Sequence, residues 1–145
     1  HALLGIGVVS ELFCGRGFVK NKRTQSNPEH AAALGEALEQ DHRFIFVNFE
    51  DFDMLYGHRN DPRGFGKCLE EFDRVLGYIL PRLKPTDLLI LTSDHGNDPT
   101  TPSTDHSREY APFVAFGGPR TGPLGDLDGF ATVGHWVASH LSVGV

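Results

Sequence analysis

Cysteine is scarce in this chain: two among 145 residues cannot build a disulfide framework, and the spacing of Cys14 and Cys68 suits no zinc motif. A reducing compartment follows as the expectation, and with it a cytoplasmic location. Positive charge is outnumbered as well. Thirteen Lys and Arg against nineteen Asp and Glu leave a net charge of −6, which argues against a general nucleic-acid binder, since phosphate-backbone binding needs a dense basic surface. Long apolar runs are missing: none approaches the roughly 20 residues that span a bilayer, and the first residues carry no signal-peptide pattern. A soluble chain without a membrane partner is expected. There is no internal repeat, low-complexity tract or clear linker, and the length suits one domain with a real core.

Apolar strands alternating with helical patterns are what the chain does contain. Leu3 to Val9 reads as a buried strand, followed by a Ser10–Phe13 turn and a glycine-punctuated loop. Asn27 as N-cap and Pro28 at the first helical position open a helix through Ala31, Leu34 and Leu38. A second strand is expected at Arg43–Phe49. Asp61 and Pro62 start a second helix, in which Phe65, Leu69, Phe72, Val75, Leu76 and Ile79 recur at helical spacing as a core stripe until Pro81. Leu88–Thr92 and Ala111–Phe116 read as further strands, and Phe130–Leu141 as a last helix packed through Trp136. This order predicts an α/β fold with a mainly parallel sheet and helices on both faces. In such sheets ligands bind beyond the strand ends.

Metal-ligand side chains fall at those ends. Asp94 and His95 directly follow an apolar strand, Asp53 and His58 lie just past another, and His106 follows His95 by eleven positions. A lone Asp or His near a turn is usually a cap or a solvated side chain, but five together point to a cation site. Mixed oxygen and imidazole donors without thiolate suit Mn²⁺, Zn²⁺ or Fe²⁺ better than Ca²⁺. Five ligands exceed one ordinary open site, so two ions roughly 4 Å apart, able to clamp a phosphoryl group, are plausible. His1, His30, His42, His135 and His140 have no such setting and read as surface or helix residues. Arg16, Lys20, Lys22 and Arg23 read as a solvated basic loop.

Three segments carry a resemblance to a known family. Asp53-Met54-Leu55-Tyr56-Gly57-His58-Arg59, Ser93-Asp94-His95-Gly96-Asn97-Asp98-Pro99-Thr100 and Thr104-Asp105-His106-Ser107-Arg108-Glu109-Tyr110 resemble signature segments of prokaryotic phosphopentomutases. These belong to the alkaline phosphatase-like metalloenzymes. Gly5-Ile6-Gly7, Phe13 to Gly17 and Ser26-Asn27 are similar to family segments too. The Asp-His-Gly-Asn step alone is shared with cofactor-independent phosphoglycerate mutases, whereas the run from Asp98 to Glu109 separates the families.

The resemblance implies a two-Mn²⁺ isomerase that interconverts (deoxy)ribose 1-phosphate and (deoxy)ribose 5-phosphate through a phosphothreonine. Asp53, His58 and His106 would hold one ion, and Asp94 and His95 the other. It also implies an aspartate that completes the second site, the phosphorylated threonine and an inserted cap domain, none of which matches here. Residues 1–145 are therefore expected to be the C-terminal portion of the metal-binding core, inactive alone, with a pentose phosphate as substrate. Another segment of the same protein or a second copy is the expected macromolecular partner. Val8 stands where the family often has lysine. The alternatives are another enzyme of the superfamily, such as a phosphoglycerate mutase or phosphatase, or a non-catalytic metal-binding fragment.

Overall fold

The computed structural model describes residues 2–118 and 121–144, with no side chain described for Ala2. The chain divides into two compact units, one formed by His1–Leu83 with Asn97–Ser107, the other by Lys84–Gly96 with Arg108–Val145. His1, expected at the surface, lies outside the described residues.

In the first unit three strands run parallel. Strand β1, Ala2–Ile6, is flanked by β2, Lys20–Lys22, and β3, His42–Val47. Leu4, Gly5 and Ile6 are all buried, as a central parallel strand requires. Gly7 ends the strand at φ +86°, where a side chain would be strained. The expected Ser10–Phe13 turn is instead a short helix α1, Val9–Leu12. The basic stretch is also more ordered than expected: Lys20 to Lys22 pair with Leu4 to Ile6 as a strand. A Lys-Asn-Lys strand has no apolar alternation by which to be recognised. Its charges are anchored by Lys22–Glu36 and Arg23–Glu11 ion pairs.

Helix α2, Asn27–Leu38, packs Ala33 and Ala37 against Leu4 and Ile6, with Leu34, Ile45 and Val47 around them. Ser26, in extended conformation, is the N-cap rather than Asn27. Asn27 sits one position inside the helix because its side chain is engaged elsewhere, accepting from Asp51 N at 3.3 Å and donating to Cys68 Sγ at 3.5 Å. Helix α3, Pro62–Ile79, starts as expected, with the Asp61 carboxylate accepting from Gly64 N. A 3₁₀ turn at Leu80–Arg82 follows. Its apolar stripe is only partly core: Ile79 is buried, while Leu69 is 52% exposed. Phe65 and Phe72 stack edge-on against Phe52, and Phe72 also meets Phe49, which fixes the chain just past β3 onto this helix.

His30 departs furthest from expectation. It is fully buried, with Nδ1 2.6 Å from Thr24 Oγ1 and Nε2 3.8 Å from Glu50 Oε1. Its ring lies against Gly7, where an added side-chain carbon would meet His30 Cε1 at 3.4 Å, an ordinary contact distance.

The second unit contains β4, Leu89–Thr92, and β5, Phe113–Phe116, paired antiparallel. The α/β class and the parallel sheet match the sequence reading, while the last expected strand turns back along its neighbour. Helix α4, Ala131–Leu141, carries Trp136, whose ring lies 5.4 Å from that of Phe113. Among the described residues no helix is long and apolar enough to cross a membrane.

Candidate metal centre

Two stretches of the first unit bring three of the five expected ligands together. Asp53 lies in a π-helical turn, Phe52–Tyr56, and His58 in the 3₁₀ turn that follows, Gly57–Arg59. π-Helical turns are rare and often mark functional positions. The turn ends on Asn60 in the left-handed conformation, φ 50°, which asparagine tolerates better than most residues. Asn60 Nδ2 donates to Thr101 O at 3.0 Å, and His58 Nδ1 lies 2.5 Å from Thr104 O. These bonds lay the loop 97–107 along the turn and carry His106 to Asp53.

The loop is closed on itself. Asp98 N donates to Ser107 Oγ at 2.7 Å, and the Asp98 carboxylate accepts from Thr100 N at 2.9 Å and Thr100 Oγ1 at 2.6 Å. The Thr100 hydroxyl, then the Thr100 amide, hold the Asp98 pKa below its ordinary value, outweighing desolvation. Tyr56, between Asp53 and His58 in the chain, has its phenol pKa raised, first by burial and then by Cys68, Glu71, Asp51 and Asp61.

His58 Nε2 lies 3.1 Å from Asp53 Oδ2, and His106 Nε2 lies 3.7 Å from Asp53 Oδ1. The two imidazoles are tilted together with ring centroids 4.9 Å apart. One donor atom from each residue falls within 4.8 Å of the others. A carbonyl only accepts, so His58 Nδ1 carries the proton given to Thr104 O. In neutral His58 that leaves a bare Nε2 lone pair beside a carboxylate oxygen, an arrangement that a cation stabilises. Donors about 2.1 Å from one ion lie roughly 3.0–3.4 Å apart at octahedral or tetrahedral angles, and the Asp53–His58 separation falls within that range. The Asp53–His106 separation of 3.7 Å is a little longer than that range, while one carboxylate and two imidazoles are donor types that a divalent transition metal takes. The His106 side chain is 48% exposed, so the cluster is open on one side.

The other two expected ligands lie in the second unit and form a pair of their own. Asp94 and His95 stand two and three residues beyond β4, with His95 Nε2 3.5 Å from Asp94 Oδ1 and His95 Nδ1 3.2 Å from Gly96 O. The Asp94 side chain is 89% exposed. Sequence reasoning missed the supporting groups. These are Asn97, which donates to Asp53 Oδ1 at 2.5 Å, the Thr104 carbonyl, and Ser107. Asn97 stands within the quoted signature run, but its partner lies 44 positions upstream, which no local pattern reveals.

Comparison with known proteins shows the family to which the chain belongs. Two curated proteins named phosphopentomutase, from Anaeromyxobacter sp. strain K and Dictyoglomus thermophilum, are 48% and 47% identical to it over 97% and 99% of its length. The chain spans only 37% of either relative. A solved structure, the PH0037 protein from Pyrococcus horikoshii, superposes with a TM-score of 0.66 over 81% of this chain and 38% of its own, at 23% identity. That likeness speaks for the fold alone. Residues 14–144 match the Metalloenzyme superfamily, and the chain belongs to that superfamily.

Proposed function

We propose that these 145 residues are the C-terminal, metal-binding part of a phosphopentomutase, an isomerase that moves phosphate between the C1 and C5 oxygens of ribose or deoxyribose. The observation that carries this reading is the Asp53, His58 and His106 cluster, built from the same segments that resemble the family. The names of the relatives at 47–48% identity support the pentose phosphate substrate over a phosphoglycerate or a general phosphate ester.

Manganese is the proposed metal, two ions per complete site. Asp53, His58 and His106 are proposed to hold one, and Asp94 and His95 to contribute to the other. When bound, such ions neutralise and orient the phosphoryl oxygens. The protein's own part is orientation. Thr104 O fixes the tautomer and ring plane of His58, Asp53 supplies the anionic oxygen, and the exposed side of His106 leaves room for a phosphate ester. The phosphate-accepting threonine and the remaining ligand of the second ion are proposed to come from sequence outside these residues, in keeping with the 37% of each relative that is spanned. Another segment of the same protein or a second copy is the proposed macromolecular partner, and the cytoplasm the proposed location.

The test is the interconversion of ribose 1-phosphate and ribose 5-phosphate by the full-length protein carrying these residues, with and without Mn²⁺. Turnover dependent on metal is expected. Conversion of phosphoglycerate but not of pentose phosphates would overturn the substrate. Unchanged Mn²⁺ stoichiometry in His106→Ala would overturn the ligand set.

A further inference from the structure

We infer that Asn97 is a positioning residue that sets the Asp53 carboxylate for the metal, and that position 57 is glycine to make room for it. The inference deepens the metal-site reading above and rests on it. Asn97 Nδ2 donates to Asp53 Oδ1 at 2.5 Å, while Oδ2 of the same carboxylate faces His58 Nε2 at 3.1 Å. An ionised carboxylate only accepts, so the amide must present its NH₂ group, which defines the orientation of both side chains. With one oxygen held, the carboxylate is not free to rotate, and its second oxygen stays on the imidazole. Hydrogen bonds of this kind to a ligating carboxylate commonly decide metal affinity.

Gly57 supplies an independent observation. Its backbone, φ −60° and ψ −62°, is ordinary right-handed helix that any residue adopts, so conformation does not call for glycine. Space does. The three atoms nearest a side chain built at this position are Nδ2, Cγ and Oδ1 of Asn97, all too close to coexist with it. Gly57 is buried and sits beside His58, so the missing side chain leaves the slot through which the amide reaches Asp53. Asn97 thereby ties the loop that carries His106 to the turn that carries Asp53 and His58.

The experiment is calorimetric titration of the purified protein with Mn²⁺, using wild type, Asn97→Ala, Gly57→Ala and the double variant, with metal-free thermal melts alongside. Asn97→Ala is expected to weaken Mn²⁺ binding by about 10- to 100-fold. Gly57→Ala should weaken it too, because the added methyl displaces the amide. The double variant should bind no worse than Asn97→Ala alone, since the methyl then has room. A tie that served the fold only would lower the metal-free melting temperature and leave the Mn²⁺ Kd unchanged; that result in Asn97→Ala overturns the inference. Additive losses in the double variant overturn the role of Gly57. Absence of Mn²⁺ binding by folded wild-type protein overturns the metal site itself, and the inference with it. If Asn97→Ala does not fold, Asn97→Ser, too short to reach Asp53, takes its place with the same expected loss.

Discussion

Replacing Asn27 by alanine is expected to destabilise the protein by about 1–2 kcal/mol, the lower part of the range for a buried donor left without its acceptor. Three bonds meet at this residue. Asn27 N donates to Asp51 Oδ2 at 2.8 Å, Asp51 N donates back to Asn27 Oδ1 at 3.3 Å, and Asn27 Nδ2 donates to Cys68 Sγ at 3.5 Å. Alanine keeps the first, which is a backbone donor, and loses the other two. The partly buried Asp51 N–H then has no acceptor, while the contact to sulfur, a weak acceptor, adds little. The 3.3 Å length of the lost bond is the reason for a value in the lower range. Asp51→Ala removes instead the carboxylate at the first turn of α2, a cap-like loss of about 0.5–2 kcal/mol. Each substitution removes a different one of the two reciprocal bonds, but each bond holds the segments in place for the other, so the second substitution should cost less once the first is made, with a coupling of roughly 0.5 kcal/mol or more. Urea denaturation of wild type, both single variants and the double variant measures it. Losses that add to within about 0.3 kcal/mol would refute the idea that the pair acts as a unit.

Other consequences are as direct. Ile6 is fully buried against α2, so Ile6→Ala should cost about 2–5 kcal/mol, and a loss under roughly 1 kcal/mol by denaturation would mean that the sheet–helix core is misassigned. Cys14 is exposed and Cys68 buried; burial raises the Cys68 thiol pKa, helped by Asp51 and Glu71 and opposed by the Asn27 hydrogen bond. Ellman's reagent should therefore modify one thiol in native protein and the second only on unfolding, and equal rates would contradict the burial. For Asp98, a pKa held below its ordinary value of 3.8 means that the stabilisation is present above that value and is lost as pH falls through the lowered one. In Thr100→Ala the Asp98 carboxyl should titrate at higher pH by NMR, and an unmoved titration would rule out the Thr100 hydroxyl as the main cause.

What was legible in the sequence is what is local. Pro62 after Asp61 marked a helix start that the carboxylate does cap, and apolar runs marked β1, β3 and β4. Asn27 misled by one residue because its cap-like chemistry is spent on Asp51, 24 positions away. The strand at Lys20–Lys22 was hidden because only its pairing with β1 makes it a strand. His30 gave no sign of burial, since the groups that meet its ring nitrogens, Thr24 and Glu50, lie 6 and 20 positions away. Of the candidate site, residue types and their place beyond strand ends could be read from sequence. The hydrogen bonds that orient them could not.

Those bonds have a consequence for how the site and the fold depend on one another. The cluster of buried apolar residues is small: Leu4, Ile6, Ala33 and Ala37, all on the sheet and α2. None of the candidate ligands belongs to it. The candidate ligands are related to one another by polar ties, His58 to Thr104, Asn60 to Thr101 and Asn97 to Asp53, each spanning more than 40 positions. Such ties exclude little apolar surface, so each adds only about 1 kcal/mol to stability, yet each fixes the direction in which a donor atom points. Core substitutions should therefore lower the melting temperature while leaving metal affinity in the folded protein nearly intact. Substitutions in the ties should do the reverse, because a carboxylate or imidazole turned away from its partners no longer presents the same face to an ion.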